Sequence, residues 1–367
     1  MSPTPTPPWA RVAVVIPSYK VRDHVLGVIA RIGSEVERIY VVDDACPLNS
    51  GGFVEQECPD ERVVVIRNAQ NLGVGGATMT GYRAAINDGM TVLVKLDGDG
   101  QMDPVLIPQI IAPILSGSAD YTKGNRFFSP EALNGMPSVR LIGNAGLSFL
   151  TKLSSGYWDL LDPTNGFTAI HANVADVLPF DRLAKRYFFE SDMLFRLSIV
   201  RAVVADIPIF SRYGDEKSNM NAGQVLLPFL GKNLVNTWKR IVYSYFLRGF
   251  SFASFQLFFG AILFLWGAGF GAFNWYANVA AGHSTPTGTV MLAVVPLILG
   301  FQLILGFIAA DIAAVPTRPL HAILSIRPAK PLRQFPDRDS VEAAARMMGQ
   351  PPGADQRHGP QPSPNSL

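Results

Sequence analysis

The chain has 367 residues, of which 48% are apolar and 16% are charged, and its formal net charge is +2. The length suggests about two domains of roughly 150 residues each. About a quarter of the residues in soluble proteins are charged, so this composition argues against a wholly soluble protein, and the near-neutral charge gives no reason to expect a nucleic-acid partner.

Both ends of the chain have the composition of disordered segments. The first nine residues are rich in Pro and Thr and lack the apolar stretch of a signal peptide, so we expect residues 1–10 to be disordered. The tail 328–367 is rich in Pro, Gly, Gln and charge, and we expect disorder there as well.

Between residues 11 and 220, short apolar runs alternate with helical patterns. Strand signals fall at 11–16, 36–43, 62–66 and 92–96, and helix signals fall at 21–32 and 71–88. Strands that alternate with helices predict an α/β domain whose mostly parallel sheet is covered on both faces. We therefore predict one such domain over residues 11–220.

Polar residues follow three of these strands at the point where each strand ends. They are Pro17-Ser18-Tyr19, Asp43-Asp44 and Asp97-Gly98-Asp99. The carboxyl ends of parallel strands meet at one rim, where open α/β sheets keep their ligand crevices. One acidic loop would be unremarkable, but three together predict a nucleotide site.

The segment VLVKLDGDGQMDP, residues 92–104, places two carboxylates and an amide oxygen directly after an apolar strand. These are the side chains of Asp97, Asp99 and Gln101. Hard oxygen ligands without nearby His or Cys suit Mg²⁺ or Mn²⁺, and Mg²⁺ takes its other ligands from water and phosphates. The alternative is an ordinary Asp-Gly turn.

Gly73, Gly75 and Gly76 in NLGVGGATMTGYRAA superficially resemble a dinucleotide-binding fingerprint. That fingerprint should follow the first strand, whereas these glycines follow the third, so we disfavour it. Two alternatives are left open. The start of the next helix faces the nucleotide sugar or its phosphates, or the segment is a tight loop capped by Asn71.

Apolar residues recur at helical spacing within residues 221–248, with Lys232, Lys239 and Arg240 between them. The pattern predicts an amphipathic helix at a membrane surface, broken at Pro228. The alternative is a helix packed on the preceding domain.

No residue from 249 to 282 is charged, and none from 284 to 310. Each stretch contains an apolar run of the roughly 20 residues that cross a bilayer core. We predict a hairpin of two transmembrane helices over residues 249–315. Basic residues flank the hairpin on both sides, at Lys239, Arg240, Arg248, Arg318, Arg327 and Lys330. The positive-inside tendency then places the large N-terminal part in the cytoplasm and the chain in the cytoplasmic membrane.

Six motifs occur in one order along the chain: IPSYK, VVDDAC, NLGVGGA, KLDGDGQMDP, GNRFF and DPTNGF. With them the chain resembles the family-2 inverting glycosyltransferases of the GT-A fold over about residues 11–220. It is most similar to the polyprenyl-phosphate glycosyltransferases, of the dolichol-phosphate mannose synthase and bacterial undecaprenyl-phosphate glucosyltransferase type. The resemblance implies a membrane-anchored, metal-dependent enzyme. Such an enzyme transfers a hexose from a UDP- or GDP-sugar to a polyprenyl phosphate, with inversion, for cell-envelope glycan modification.

The resemblance also implies roles for individual residues on the donor side. The base and ribose pocket would be lined by Pro17, Tyr19 and Asp44. The Mg²⁺ or Mn²⁺ ion would be bound by Asp97, Asp99 and Gln101, against the donor diphosphate.

The phosphates of donor and acceptor repel each other, so the site needs cations, and Arg can donate to phosphate in bidentate fashion. By resemblance, Arg126 contacts phosphate, and Arg140 and Asn144 receive the lipid phosphate. Arg212 and Lys217 match a basic loop that closes over the donor diphosphate, although Lys217 precedes Ser218 where the family has the reverse order. The alternative for each arginine is ordinary surface charge.

A polyprenyl phosphate is largely anionic near neutral pH, because its second pKa lies near 6, so it needs no general base. We therefore expect Asp162 to orient or stabilise, and with Asp99 and Arg126 it forms the predicted catalytic set. The alternative for Asp162 is a simple turn residue. Glu190 and Asp192 fall where other family-2 enzymes place a base for hydroxyl acceptors. Otherwise they are solvated charge at a helix start.

Two other functions are left open. A polysaccharide synthase would act on a sugar hydroxyl, but the Gln-x-x-Arg-Trp motif of processive synthases is absent from the sequence. An inactive membrane scaffold would have no reason to keep the acidic set after the fourth strand. Small residues at Gly267, Gly269 and Gly271 would permit close helix packing, including packing between chains of a homo-oligomer.

Overall fold

The computed structural model describes residue 7 and residues 9–128, 138–209 and 222–324. Strands β1 to β7 span Val12–Ser18, Arg38–Asp43, Val63–Arg67, Val92–Lys95, Tyr121–Asn125, Thr168–His171 and Val204–Pro208. The described α-helices, α1 to α10, span Arg22–Ile29, Ser50–Glu57, Gly73–Asn87, Ile107–Leu115, Ser138–Ser155, Ala172–Val177, Phe189–Ile199, Ala222–Ile241, Phe252–Ala280 and Thr287–Ala313. The predicted disordered tail, residues 328–367, lies outside the described residues, as do most of residues 1–10.

In the described part of the chain, seven strands form one sheet in the order β3-β2-β1-β4-β6-β5-β7. Strand β6 runs antiparallel to both of its neighbours, and the other pairs are parallel. Helices α1, α2 and α3 connect the first four strands. The helix signals predicted α1 and α3, whereas α2 was not predicted from the sequence. The expected fold class is confirmed: a mostly parallel, GT-A-like α/β sheet followed by a pair of long apolar helices.

Helices cover both faces of the sheet. On one face, β1 and β4 pack against α1 and α4 through buried aliphatic side chains that include Val14, Val25 and Ile110. On the other face, α3 lies against β1 and β2. A Cβ at Gly81 of α3 would overlap the Val15 side chain, so glycine is what allows this helix to lie so near the sheet. With both faces covered, the strand ends are left to carry the loops of a site.

Helix α8 (Ala222–Ile241) continues through Pro228, so the predicted break there is wrong. Proline removes one backbone donor, but the turns that follow are held by packing on the domain. Phe229 and Asn233 are buried, and the Phe229 ring meets Phe188 edge to face with 5.1 Å between centroids. The opposite side of the helix exposes large apolar side chains, those of Leu227, Leu234 and Trp238. The helix is therefore packed on the domain along one side and apolar on the exposed side.

Helices α9 and α10 are, by length and composition, long and apolar enough to cross a membrane. They pack on each other at glycines, because a Cβ at Gly267 or Gly300 would collide with the backbone of the opposite helix. Gly271 also faces α10 of the same chain, whereas Gly269 faces open space. Close packing at small residues is thus realised within the hairpin itself.

After α10 the chain returns to the α/β domain. The backbone amides of Leu320 and His321 donate to the fully buried carboxylate of Asp120, at 2.7 and 2.8 Å. The His321 ring stacks on His171, with 4.5 Å between centroids. The apolar pair is therefore connected to the domain both before α9 and after α10.

Candidate active site

The carboxyl ends of β1, β2 and β4 form one rim of the sheet. In the β1–β2 register Ser18 lies beside Asp43, and β4 runs parallel to β1 on its other side. The predicted rim residues lie at the last positions of these strands or in the loops after them: Pro17, Tyr19, Asp44, Asp97, Asp99 and Gln101. The structure therefore brings the three predicted loops to one edge.

Asp44 is buried and caps the start of α3. Its carboxylate accepts from the backbone amides of Leu72 and Gly73, at 2.9 and 2.7 Å, and from Asn68 Nδ2 at 2.8 Å. The capping role proposed for Asn71 is wrong, since its side-chain amide donates to the Asp44 carbonyl instead. An ionised carboxylate is the stronger partner for a helix N-terminus. The predicted contact of Asp44 with base or ribose stays a prediction.

Two further amides at the start of α3 also have protein acceptors. Gly75 and Gly76 donate to the carbonyl of Lys185, at 2.9 and 3.2 Å. Protein acceptors therefore take the amides of Gly73, Gly75 and Gly76 in the first turn of α3. The described contacts give no support to the alternative in which this turn faces the nucleotide.

Asp97 and Asp99 lie in the loop after β4. The Asp97 side chain is 29% exposed and accepts from Lys95 Nζ at 2.7 Å, while Asp99 Oδ1 accepts the Gln101 amide at 3.0 Å. Gly166 approaches from the segment before β6, where a Cβ would lie 2.5 Å from Lys95 Nζ and 2.8 Å from Asp97 Oδ2. Only glycine leaves room for this carboxylate.

These side chains fit the expected metal ion. Among the described residues no three His, Cys, Asp or Glu side chains come together as a metal cluster. Mg²⁺, however, is usually held by one or two carboxylates, with water and substrate phosphates as its remaining ligands. Asp97 and Asp99, two carboxylates on one partly exposed loop, match that mode of coordination. The ion itself stays a prediction.

Lys95 is a site residue that the sequence analysis missed. It is 1% exposed, and its Nζ contacts Asp97 Oδ1, the Gly166 carbonyl at 3.2 Å and Glu190 Oε1 at 3.4 Å. Burial alone would lower the pKa of Lys95, but the charges of Asp97 and Glu190 outweigh burial and raise it, so the lysine is charged. Burial raises the pKa of Glu190, and Lys95 only partly offsets this. A lysine at the last position of the apolar strand VLVK was the available signal.

Arg126 and Asp162 form a bidentate ion pair. Arg126 Nε lies 2.6 Å from Asp162 Oδ2, and Nη2 lies 2.7 Å from Oδ1. The Asp162 side chain is 1% exposed and also accepts from Asn165 Nδ2 at 3.1 Å. Burial would raise the pKa of Asp162, but the hydrogen bonds and charge of Arg126 outweigh it and hold the pKa below its ordinary value. Neither residue is thus ordinary surface charge or a simple turn residue.

A second buried lysine fixes the loop that carries Asp162. Lys123 of β5 donates to the carbonyl of Leu161 and contacts Asp206 Oδ1 at 2.8 Å. Asp206 of β7 in turn accepts the Leu161 amide at 2.7 Å. The backbone just before Asp162 is therefore held from two strands. Neither Lys123 nor Asp206 was singled out by the sequence analysis.

Asp192 is not solvated charge, contrary to one of the two expectations for it. It is 5% exposed, and its carboxylate accepts from the Ala184 amide at 2.9 Å, Arg196 Nε at 3.2 Å and Asn236 Nδ2 at 3.2 Å. Asn236 belongs to α8, so Asp192 joins α7 to α8. Glu190 likewise lies largely buried beside Lys95.

The side chains of four predicted residues lie outside the described part of the structure. Arg140 and Asn144 lie on α5 (Ser138–Ser155), but their side chains are outside the described part of the structure. Arg212 and Lys217 lie outside the described residues altogether. Their predicted roles with lipid phosphate and donor diphosphate stay predictions.

Residues 13–178 match the family model for glycosyl transferase family 2. The chain is 30% identical over 230 residues to the UDP-N-acetylglucosamine–dolichyl-phosphate N-acetylglucosaminyltransferase of Methanococcus voltae, covering 59% of this chain and 91% of that one. It is 28% identical over 203 residues to the undecaprenyl-phosphate mannosyltransferase of Micrococcus luteus, covering 54% of this chain and 82% of that one.

Among solved structures it is similar to glucosyl-3-phosphoglycerate synthase from Mycobacterium tuberculosis in complex with Mg²⁺ and uridine-diphosphate. That likeness has 18% identity and a TM-score of 0.47, and covers 63% of this chain and 79% of that one.

Proposed function

This chain belongs to glycosyl transferase family 2, and we propose that it transfers a sugar from a nucleoside-diphosphate sugar to the phosphate of a polyprenyl lipid. One observation carries the proposal. The chain matches most of the length of two relatives whose names both give a polyprenyl-type phosphate as the acceptor. Those names differ in the sugar, so we propose a hexose or N-acetylhexosamine with UDP or GDP as the carrier.

We further propose that the enzyme works at the cytoplasmic face of a membrane. The two long apolar helices support membrane insertion, and the basic residues on both sides of them support this orientation. The exposed apolar side of α8, with Leu227, Leu234 and Trp238, would lie in the headgroup region. That arrangement would hold the rim of the sheet where a lipid phosphate can reach it.

On the donor side, the loop after β4 is the proposed diphosphate site. Asp97, Asp99 and Gln101 would hold Mg²⁺ or Mn²⁺, which when bound neutralises the charge of the departing diphosphate. Lys95, at the end of β4, donates to the Asp97 carboxylate and fixes its position. Gly166 has no side chain, which leaves space beside that carboxylate. Tyr19, exposed at the same rim, would cover the nucleoside.

On the acceptor side, the lipid phosphate is itself the nucleophile. A phosphate oxygen would form the new bond to the anomeric carbon as the bond from that carbon to the nucleoside diphosphate breaks, with inversion. The acceptor is already ionised, so no protein group needs to remove a proton. Arg126, held in place by Asp162, would orient the phosphate and balance its charge. Asp162 then acts through Arg126, as an orienting residue.

The described contacts favour this acceptor over a sugar hydroxyl. A hydroxyl acceptor needs a general base, and Asp192 was the candidate. Both of its carboxylate oxygens already accept hydrogen bonds: Oδ1 from Asn236 of α8, and Oδ2 from the Ala184 amide and Arg196. An inactive scaffold is disfavoured because the acidic loop, Lys95 and the Arg126–Asp162 pair are all assembled.

A transfer assay tests the proposal. Purified full-length protein would be incubated with Mg²⁺ or Mn²⁺, undecaprenyl phosphate and a panel of radiolabelled UDP- and GDP-sugars. Label entering the organic phase, and lost with EDTA, is the expected result. Asp97→Ala should abolish transfer, whereas Asp181→Ala, at a carboxylate that is 91% exposed, should not. A wild-type protein that binds nucleotide but forms no lipid product from any donor would refute the proposal.

A further inference from the structure

The second apolar helix carries a buried carboxylate near its end. Asp311 of α10 is 4% exposed and accepts two hydrogen bonds on each oxygen. Oδ1 accepts from Arg240 Nη1 at 2.7 Å and Tyr245 Oη at 2.6 Å, and Oδ2 accepts from Arg240 Nη2 and Trp158 Nε1, both at 2.9 Å. An ionisable side chain in an apolar helix is costly unless it is paired, which makes it a candidate for a function.

The donors come from three separate elements outside the apolar pair. Trp158 lies in the loop after α5, Arg240 in the last turn of α8, and Tyr245 in the π-helical segment Val242–Leu247 that precedes α9. We call Trp158, Arg240, Tyr245 and Asp311 the membrane joint. It is the place where the catalytic domain, the amphipathic helix and the apolar pair are hydrogen-bonded to one carboxylate.

The joint is also built into the domain. Arg240 donates from Nε and Nη2 to the carbonyl of Leu153, at 3.2 and 3.0 Å, near the end of α5. A Cβ at Gly156 would lie 2.7 Å from Arg240 Nη1, so glycine there makes room for the guanidinium. Arg240 itself is 5% exposed. The guanidinium therefore bridges α5 and α10 in a fixed geometry.

We propose that the membrane joint sets the height of the active site above the bilayer, and so positions it for the phosphate of a membrane-embedded acceptor. The inference rests on the proposed function. Trp158 stands four residues before Asp162, which holds Arg126. The path from the apolar pair to the acceptor side of the site is therefore short: three residues separate Trp158, which donates to Asp311, from the buried Asp162. The four residues of the joint are positioning residues, since none of them touches the proposed reacting atoms.

A second attachment separates positioning from simple anchoring. The chain after α10 is hydrogen-bonded to Asp120 of the domain through Leu320 and His321. Loosening the joint would leave the apolar pair in the membrane and attached to the domain. It should instead weaken the binding of an acceptor whose phosphate is held at a fixed depth in the bilayer.

The experiment compares two acceptors in the full-length protein reconstituted in phosphatidylglycerol-containing vesicles. One is undecaprenyl phosphate, which stays in the bilayer, and the other is a short, water-soluble isoprenyl phosphate of about ten carbons. The variants are Asp311→Asn, Tyr245→Phe and Trp158→Phe. The controls are Tyr243→Phe, two residues from Tyr245, and Trp266→Phe, at an exposed tryptophan of α9.

We expect the KM for undecaprenyl phosphate to rise about tenfold in Asp311→Asn and severalfold in each variant that loses one hydrogen bond. The KM for the soluble acceptor and the KM for the donor should stay within about twofold of wild type. Both controls should match wild type with either acceptor. If Asp311→Asn does not fold, the Tyr245→Phe and Trp158→Phe variants decide, because each keeps an aromatic ring at its position and loses the donor to Asp311, and Tyr245→Phe removes nothing but the hydroxyl.

Equal changes for the two acceptors, or no change for undecaprenyl phosphate, would overturn the positioning role while leaving the proposed function intact. A wild type that forms no product from either acceptor would instead overturn the proposed function, and the inference with it. The two failures are therefore distinguishable in one set of measurements.

Discussion

Replacing Arg126 by Ala removes both arms of its bidentate contact with Asp162 and leaves a carboxylate that is 1% exposed. Breaking a buried ion pair by removing one partner costs about 3–5 kcal/mol, because the remaining charge is uncompensated. Asp162 would keep the Asn165 amide and the backbone amide of residue 126, so we expect the lower end, about 3 kcal/mol. For a domain of about 200 residues this lowers Tm by roughly 6–12 °C.

The double variant Arg126→Ala/Asp162→Asn should be more stable than Arg126→Ala alone. Asparagine keeps the shape of Asp162 but carries no charge to be stranded, so about 1–3 kcal/mol should be recovered. Thermal unfolding of the purified protein in detergent, for wild type, both single variants and the double variant, measures the coupling directly.

The same variants separate stability from activity. We expect the double variant to regain stability without regaining transfer, because the phosphate-orienting guanidinium is still missing. The penalty of Arg126→Ala should also shrink at acidic pH, where Asp162 can take up a proton once its cation is gone. A double variant as unstable as Arg126→Ala, or less stable, would refute the idea that a stranded charge causes the loss.

Three further outcomes follow from other parts of the molecule. Gly300→Ala should lower Tm in detergent, because its Cβ collides with the backbone of Phe264, whereas Gly269→Ala, which faces open space, should not; equal Tm values would contradict the glycine contact. Gly166→Ala should cut kcat at least about tenfold and cost about 1–3 kcal/mol by crowding the acidic loop, as activity and thermal unfolding would report; an active variant would disprove the close fit. Burial and the neighbouring imidazole lower the pKa of His171 to about 4, so the unfolded chain binds more protons between pH 6.5 and 4. Stability should therefore fall by up to about 3 kcal/mol as pH drops through that window, and His171→Asn should remove this slope in thermal unfolding at several pH values.

The parts of the fold that were predicted from the sequence depend on local pattern. Strands β1 and β4 end in polar loops that the strand signals located to within a few residues, because a parallel sheet places successive strand ends on one rim. The two long apolar helices were predicted because each coincides with a long uncharged run in the sequence. Such a run can be recognised without knowing which distant residues it contacts. The acidic loop after β4 was predicted because its residues stand next to one another in the sequence, directly after an apolar strand.

The parts that were missed depend on partners far apart in the chain. Lys95 is buried because Glu190, on a helix that follows several other elements, meets it together with Asp97. Lys123 is buried because Asp206 lies beside it on a neighbouring strand. A charged side chain is read as exposed until its partner is known, and pairing across 80 or more residues leaves no periodic trace in the sequence. Asp311 escaped notice in the same way.

The return of the chain to Asp120 changes how the boundary of the catalytic unit should be drawn. Residues 314–324 follow the apolar pair in sequence, yet the Leu320 and His321 amides complete the hydrogen bonding of a carboxylate that is fully buried in the α/β domain. The two apolar helices are then a long insertion within one folded unit. A version cut after residue 248 would strand Asp120 without these donors. A water-soluble enzyme is better sought by replacing the apolar helices, up to the turn before Asp311, with a short linker that keeps both Asp311 and the returning segment in place.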